Sequence, residues 1–162
     1  MGRMTTSADR GFTLLEMVVV VAVIAVLSVT ATFSVTSRSA GEADMARFAA
    51  AYDRLRDSAI LGRAPQAVSI VEDGWQTLSP AGQENGRTTW QPSGRAQKFR
   101  GQARFEGASG PILPRDLWRD RTPDLFFLPD GQVTPFDVAF IGNGTVRHCR
   151  SAGFSGLICE AE

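Results

Sequence analysis

The chain has 162 residues, with 17 Lys and Arg balanced against 17 Asp and Glu, one histidine and two cysteines. That length holds one modest domain plus a short anchor rather than two enzymes. Near-zero net charge gives no global field for nucleic acid, and a metal site at the cysteines would need more soft ligands than the lone His148, so neither metal nor cofactor is expected.

The segment Arg10-Gly11-Phe12-Thr13-Leu14-Leu15-Glu16 leads directly into the apolar run Met17 to Leu27. A charge at the centre of a membrane helix costs roughly 2.5 to 3.5 kcal/mol, and Glu16 stands at the edge of the run instead. If the chain is cut after Gly11, Phe12 becomes a new N-terminus and Glu16 lies one helical turn away on the same face. The Phe12 amine and the Glu16 carboxylate then pair, within one helix or between neighbouring helices. A plainer reading has Glu16 favouring the positive end of its helix dipole, but this leaves the Gly-Phe junction without a purpose.

Phe12 to Phe33 counts 22 residues, about 33 Å as helix against a hydrocarbon thickness of about 30 Å, so residues 12–33 are expected to cross a membrane once. Arg3 and Arg10 precede this stretch and the next basic residue is Arg38, which keeps the N-terminus cytoplasmic. Val29-Thr30-Ala31 offers a competing reading as an ordinary signal peptidase site, with a soluble mature chain beginning at Thr32. Glu16 would then interrupt the hydrophobic region to no end.

Gly11, Phe12, Thr13, Leu14, Leu15 and Glu16, with the basic residues before and the apolar tract after, resemble the class III signal of type IV pilins and type II secretion pseudopilins. The resemblance implies a leader over residues 1–11, cleavage between Gly11 and Phe12 by a prepilin peptidase, and methylation of the Phe12 amine. It also implies that Glu16 registers each subunit by pairing with the N-terminal amine of a neighbour.

Helical periodicity continues beyond the apolar tract, and residues 34–62 are expected as its amphipathic continuation. Met45, Phe48, Tyr52, Leu55 and Ala59 form one stripe at spacings of three and four, with Glu42, Asp44, Arg47, Asp53, Arg54, Arg56 and Asp57 mostly beside it. Gly41 reads as a flexible point within a helix of roughly 75 Å from Phe12 to about Leu61. Gly62 and Pro65 supply the stop.

Residues 63–162 change period and read as a β domain. Val68 to Val71 and Trp75 to Leu78 flank Glu72-Asp73-Gly74 as a hairpin in which Gly supplies positive φ. Ser79 to Asp124 is rich in Gly, Pro, Arg and Ser, with candidate strands at Arg87 to Gln91 and Ala103 to Glu106. Trp90, Phe99, Phe105 and Trp118 read as core or loop anchors. Leu125 to Leu128 runs into the turn Pro129-Asp130-Gly131, and Phe136, Val138 and Phe140 alternate with Asp137, Ala139 and Ile141. Asn143-Gly144 turns the chain toward Thr145 to Arg150, and Leu157 to Cys159 pairs back. Cys149 and Cys159, the only cysteines, are expected to form a disulfide across this terminal hairpin in an oxidising compartment. One long helix against many short strands is an α+β fold.

Asp124-Leu125-Phe126-Phe127-Leu128-Pro129-Asp130-Gly131, the strand Phe136 to Ile141 and the turn Asn143-Gly144 resemble the domain shared by the H-type minor pseudopilins of type II secretion and related minor pilins of type IV pili. That implies a pilin-like, two-sheet periplasmic domain on a single-pass inner-membrane anchor. The subunit would enter the tip region of a periplasmic pseudopilus that drives export of folded proteins. Implied partners are the prepilin peptidase, the other minor pseudopilins, the major pseudopilin and the inner-membrane secretion platform. A type IV pilus minor pilin, in pilus assembly or DNA uptake, is the alternative. In that case Arg147 and Arg150 would be the nucleic-acid contacts, with Arg95, Lys98, Arg100 and Arg104 as a further basic stretch; ion-paired or solvated surface is the plainer reading, and nucleic acid is not an expected partner. An enzyme is not expected: His148 beside Cys149 is the one nucleophilic pair to be imagined, and adjacent strand residues point to opposite faces.

Overall fold

The computed structural model describes residues 14–25, 40–119, 121–142 and 144–161, and the chain divides into two compact units, residues 1–36 and 37–162. In the first unit, residues 14–25 form a helix, α1. In the second, α2 (Ala40–Gly62) is followed, among the described residues, by ten strands. The cleavage junction Gly11-Phe12, the Ala31 site and any helical continuity through residues 26–39 lie outside the described residues.

One antiparallel sheet joins β1 (Gln66–Val71), β2 (Gly74–Glu84), β3 (Arg87–Pro92), β4 (Gln97–Lys98) and β7 (Leu125–Phe127), in the order β3-β2-β1-β7 with β4 also on β2. The other joins β5 (Gln102–Gly107), β6 (Gly110–Ile112), β8 (Phe136–Gly142), β9 (Thr145–Ser151) and β10 (Ile158–Ala161), in the order β10-β9-β8-β5-β6. Helix α2 contacts both, through β8 and β9 on one side and β1 and β7 on the other. The α+β, two-sheet arrangement expected from the sequence is the one observed.

The helical stripe is the keel of the core. Phe48, Tyr52 and Ala59 are buried, and Met45 and Leu55 pack at the margin. Phe48 sits among Trp75, Phe105, Phe136 and Phe140 at centroid distances of 5.3 to 6.0 Å, mostly edge to face, the arrangement in which ring quadrupoles attract. Tyr52 brings a polar atom into the same core, and its hydroxyl is satisfied by Ser151 Oγ at 2.9 Å and by the Ser155 carbonyl at 3.3 Å.

Several local expectations are corrected. The β1–β2 hairpin exists, with Val71 opposite Gly74, but its glycine is not in the left-handed region. Gly74 is required by crowding, since a Cβ there would lie 1.8 Å from the Gln97 carbonyl oxygen. Gly41 is likewise a point of close approach rather than a flexible one. A Cβ on Gly142, at the end of β8, would lie 2.6 Å from the Gly41 nitrogen, so the start of α2 rests directly on the sheet. Gly142→Ala is therefore expected to destabilise the domain by about 1 to 3 kcal/mol, the usual cost of overpacking; an unchanged thermal midpoint would show that the contact yields. The left-handed residue ending α2 is Arg63, with φ 49°, and not Gly62. Strand β2 runs past Leu78 to Glu84, through Pro80. There it is paired only with β3, because its last β1 pair is Leu78 with Ala67, and a bulge falls between Pro80 and Gly82. An unpartnered side and a bulge are the two settings in which a strand tolerates proline. Trp118 is no core anchor, being 91% exposed, whereas Phe105 is buried, Phe99 packs on the core margin and half-buried Trp90 meets Phe126 edge to face.

Strands β9 and β10 pair with Cys149 directly opposite Cys159, and a disulfide joins them with S–S 2.05 Å. Cys149 faces the core while the neighbouring His148 faces outward. The loop-closure estimate for so short a loop is about 3 kcal/mol. Replacing both cysteines by serine is expected to lower stability by about that much, and two freely alkylated thiols in unreduced native protein would contradict the bond.

Candidate assembly site

Two features of the described residues bear on function: an apolar helix whose described residues are all exposed, and a domain in which the buried carboxylates are bound by donors of the fold.

Helix α1 is apolar all round apart from Glu16, and every one of its described residues is exposed. Leu14 and Leu15 are 83% and 76% exposed, and Val18 to Val21, Val23 and Ile24 are exposed as well. A helix hydrophobic on all faces is stable only when lipid or protein surrounds it. Among the described residues no helix is both long enough and apolar enough to cross a membrane; the proposed span 12–33 extends beyond α1 at both ends. Glu16 lies near the beginning of the described part of α1.

In the second unit the structure brings together a carboxylate that the sequence pattern placed beside the stripe. Asp44 is 1% exposed. Its Oδ2 accepts from the backbone N–H groups of Arg100 and Gly101 at 2.7 and 2.8 Å, and its Oδ1 pairs with Arg47. Arg47 also donates to the Lys98 carbonyl at 2.8 Å. Asp44 thus ties the first turns of α2 to the chain entering β5. A second buried carboxylate, Asp124, accepts from Ile70 N at 2.8 Å and from Arg115 Nε at 2.7 Å, beside β1 where β7 begins. Both are ligated by donors within the fold, which suits a structural role.

Arg147 and Arg150, the residues weighed first for nucleic acid, are also engaged. Arg147 pairs with Glu42 at 3.8 Å, and Arg150 with Asp137 at 2.7 Å. The hydrogen bond from Arg150 to Asp137, and then the charge of that carboxylate, raise the guanidinium above its ordinary range. Asp130 accepts from Gln132 N at 3.0 Å and shapes its turn. His148 and Cys149 do not form a nucleophilic pair, since the sulfur is in the disulfide and the two side chains leave opposite faces of β9. Among the described residues no three His, Cys, Asp or Glu side chains are grouped to hold a metal.

Comparison with known proteins follows the same division. Residues 6–32 match the family model of the prokaryotic N-terminal methylation motif. Type II secretion system protein H of Escherichia coli (strain K12) is 30% identical over 146 residues, covering 85% of this chain and 83% of that protein. The fold is similar to that of the minor pseudopilin EpsH from the type 2 secretion system of Vibrio cholerae, with a TM-score of 0.54 at 21% identity over 76% of this chain and 97% of that one. It is similar also to the solution structure of E. coli GspH, with a TM-score of 0.55 at 20% identity over 73% of this chain and 85% of that one. The chain belongs to the family of type II secretion system protein H, the H-type minor pseudopilins.

Proposed function

We propose that this minor pseudopilin is processed between Gly11 and Phe12 by a prepilin peptidase, methylated on the Phe12 amine, and held in the inner membrane by residues 12–33 with its N-terminus cytoplasmic. Residues 34–62 continue the helix, and residues 63–162 form the β domain in the periplasm. The observation that carries this reading is the uncovered apolar surface of α1, bearing one carboxylate a single turn beyond the Gly-Phe junction. Lipid covers that surface before assembly, and facing helices of neighbouring subunits cover it afterwards. In the assembled state the Glu16 carboxylate meets the N-terminal amine of a neighbour and sets the axial register.

The work is mechanical. Subunits leave the bilayer in turn, the apolar helix passes from lipid to a helical core, and the domain presents its surface to the other minor and major pseudopilins in the tip region. Supporting a role without catalysis, the buried carboxylates Asp44 and Asp124 are consumed in holding the fold, and the known relatives are named as components of the secretion system.

The test is a deletion strain complemented with the wild-type chain, scored for release of extracellular enzymes, twitching motility and DNA uptake. Loss of enzyme release with normal motility and uptake is the expected result. Normal enzyme release with lost motility or uptake would contradict it and place the chain in a type IV pilus.

A further inference from the structure

Trp75 is 1% exposed, yet its indole N–H has no acceptor among the described residues, and the buried Nε–H of Arg47 has none either. A buried donor left unpaired forfeits its hydration for nothing, so two in contact call for an explanation. The Arg47 guanidinium lies 5.9 Å from the centroid of the Trp75 ring. Both residues line one cavity of about 640 Å³ between the outward side of α2 and the segment 93–97.

The cavity has a distinct chemistry. Ala46, Ala50 and Ala51 form a low apolar wall, Arg54 and Arg95 join Arg47 at the rim, and no carboxylate lines it. The carboxylate nearest in bonding terms, Asp44, is already occupied by Arg47 and two backbone donors. Arg54 gives its Nε–H to the Ala50 carbonyl, and among the described residues neither it nor Arg95 has an acidic partner. From Ala46 to Arg54 the helix rises roughly 12 Å, the length of about four extended residues.

We propose that this groove docks an acidic segment of another subunit, with a side-chain carboxylate received by Arg47, Arg54 and Arg95 and by the Trp75 indole N–H beneath them. Charge complementarity selects the occupant: Arg54 and Arg95 have no acidic partner among the described residues and suit an anionic acceptor, and the alanine wall admits a polypeptide backbone against the helix. Arg47, whose side chain is 38% exposed, lies over the indole face and is held by Asp44 and the Lys98 carbonyl, and it must shift for a carboxylate to reach the buried N–H. The proposal deepens the assembly reading and rests on it.

The test uses the full chain in a secreting strain, with a photo-cross-linking residue at exposed Ala50 and, separately, at Val20 in α1. The expected result is an Ala50 adduct mapping to an Asp- or Glu-containing segment of a different pseudopilin. Its yield should fall at least about tenfold in the Arg54→Ala, Arg95→Ala double variant and fall also in Trp75→Phe, which keeps an aromatic ring in the core but removes the N–H donor. Arg119→Ala, a change at an exposed arginine elsewhere, should leave it unaltered. An adduct to phospholipid, to a second copy of this chain or to a segment lacking carboxylates overturns the proposal, as does a yield indifferent to the arginine changes. No adduct from Ala50 alongside subunit adducts from Val20 overturns the groove while leaving assembly intact. Failure at both positions strikes the assembly reading itself, and the proposal with it.

Discussion

Replacing Glu16 with alanine is expected to leave cleavage before Phe12 unchanged while lowering recovery of the subunit in assembled pseudopili roughly a hundredfold. The magnitude follows from what is left behind: once facing helices have displaced water and lipid headgroups, the Phe12 ammonium has no counter-charge, and breaking a buried ion pair from one side costs about 3 kcal/mol or more. Glu16→Gln should fail nearly as badly, since it keeps the shape and loses the charge. Gly11 with a bulky replacement should fail earlier, accumulating uncleaved chain. Immunoblots of membrane and sheared pseudopilus fractions separate these cases. Normal incorporation of Glu16→Ala would mean that the carboxylate serves only the helix dipole, where its contribution is about 0.3 to 1 kcal/mol.

The largest stability effect is expected at Asp44. Asp44→Ala strands the backbone donors of Arg100 and Gly101 and removes the partner of Arg47 in a site that is 1% exposed. A loss of about 3 to 5 kcal/mol is expected, which for a domain of this size lowers the thermal midpoint by about 10 to 20 °C. Asp44→Asn recovers only part of this, because one acceptor oxygen remains while an NH2 group replaces the other. Melting of the detergent-solubilised full chain by near-ultraviolet circular dichroism gives the comparison, with Asp53→Ala on the exposed face as the neutral reference. A shift of under about 2 °C for Asp44→Ala would show that the three donors find other acceptors.

The elements legible in the sequence are those whose physics is local. The stripe from Met45 to Ala59 repeats at helical spacing, Glu72-Asp73 and Pro129-Asp130-Gly131 are turn chemistry, and Phe136, Val138 and Phe140 alternate. What the sequence hid depends on distant pairing. Asp44 stands among charged residues on a helix, and nothing nearby shows that its acceptors face Arg100 and Gly101, 56 and 57 residues on. The pairing of β5 with β8 and the docking of β7 on β1 are long-range pairings with no signature in either strand. Gly41 and Gly74 each read as punctuation, although both are fixed by backbone crowding from elsewhere in the fold. Trp118 carries the same residue-level signal as Trp75, and only the fold leaves one exposed and the other in the core. The N-terminal methylation motif, by contrast, is written in consecutive residues, and so needed no fold to be read.

The most direct measurement is the mass of the N-terminal peptide of the chain recovered from the cell envelope. The account predicts a mature chain beginning at Phe12 and carrying one methyl group on its amine, retained in the inner membrane. A chain beginning at Thr32 and released in soluble form would contradict it, because the apolar helix and Glu16 would then be discarded before any subunit could assemble.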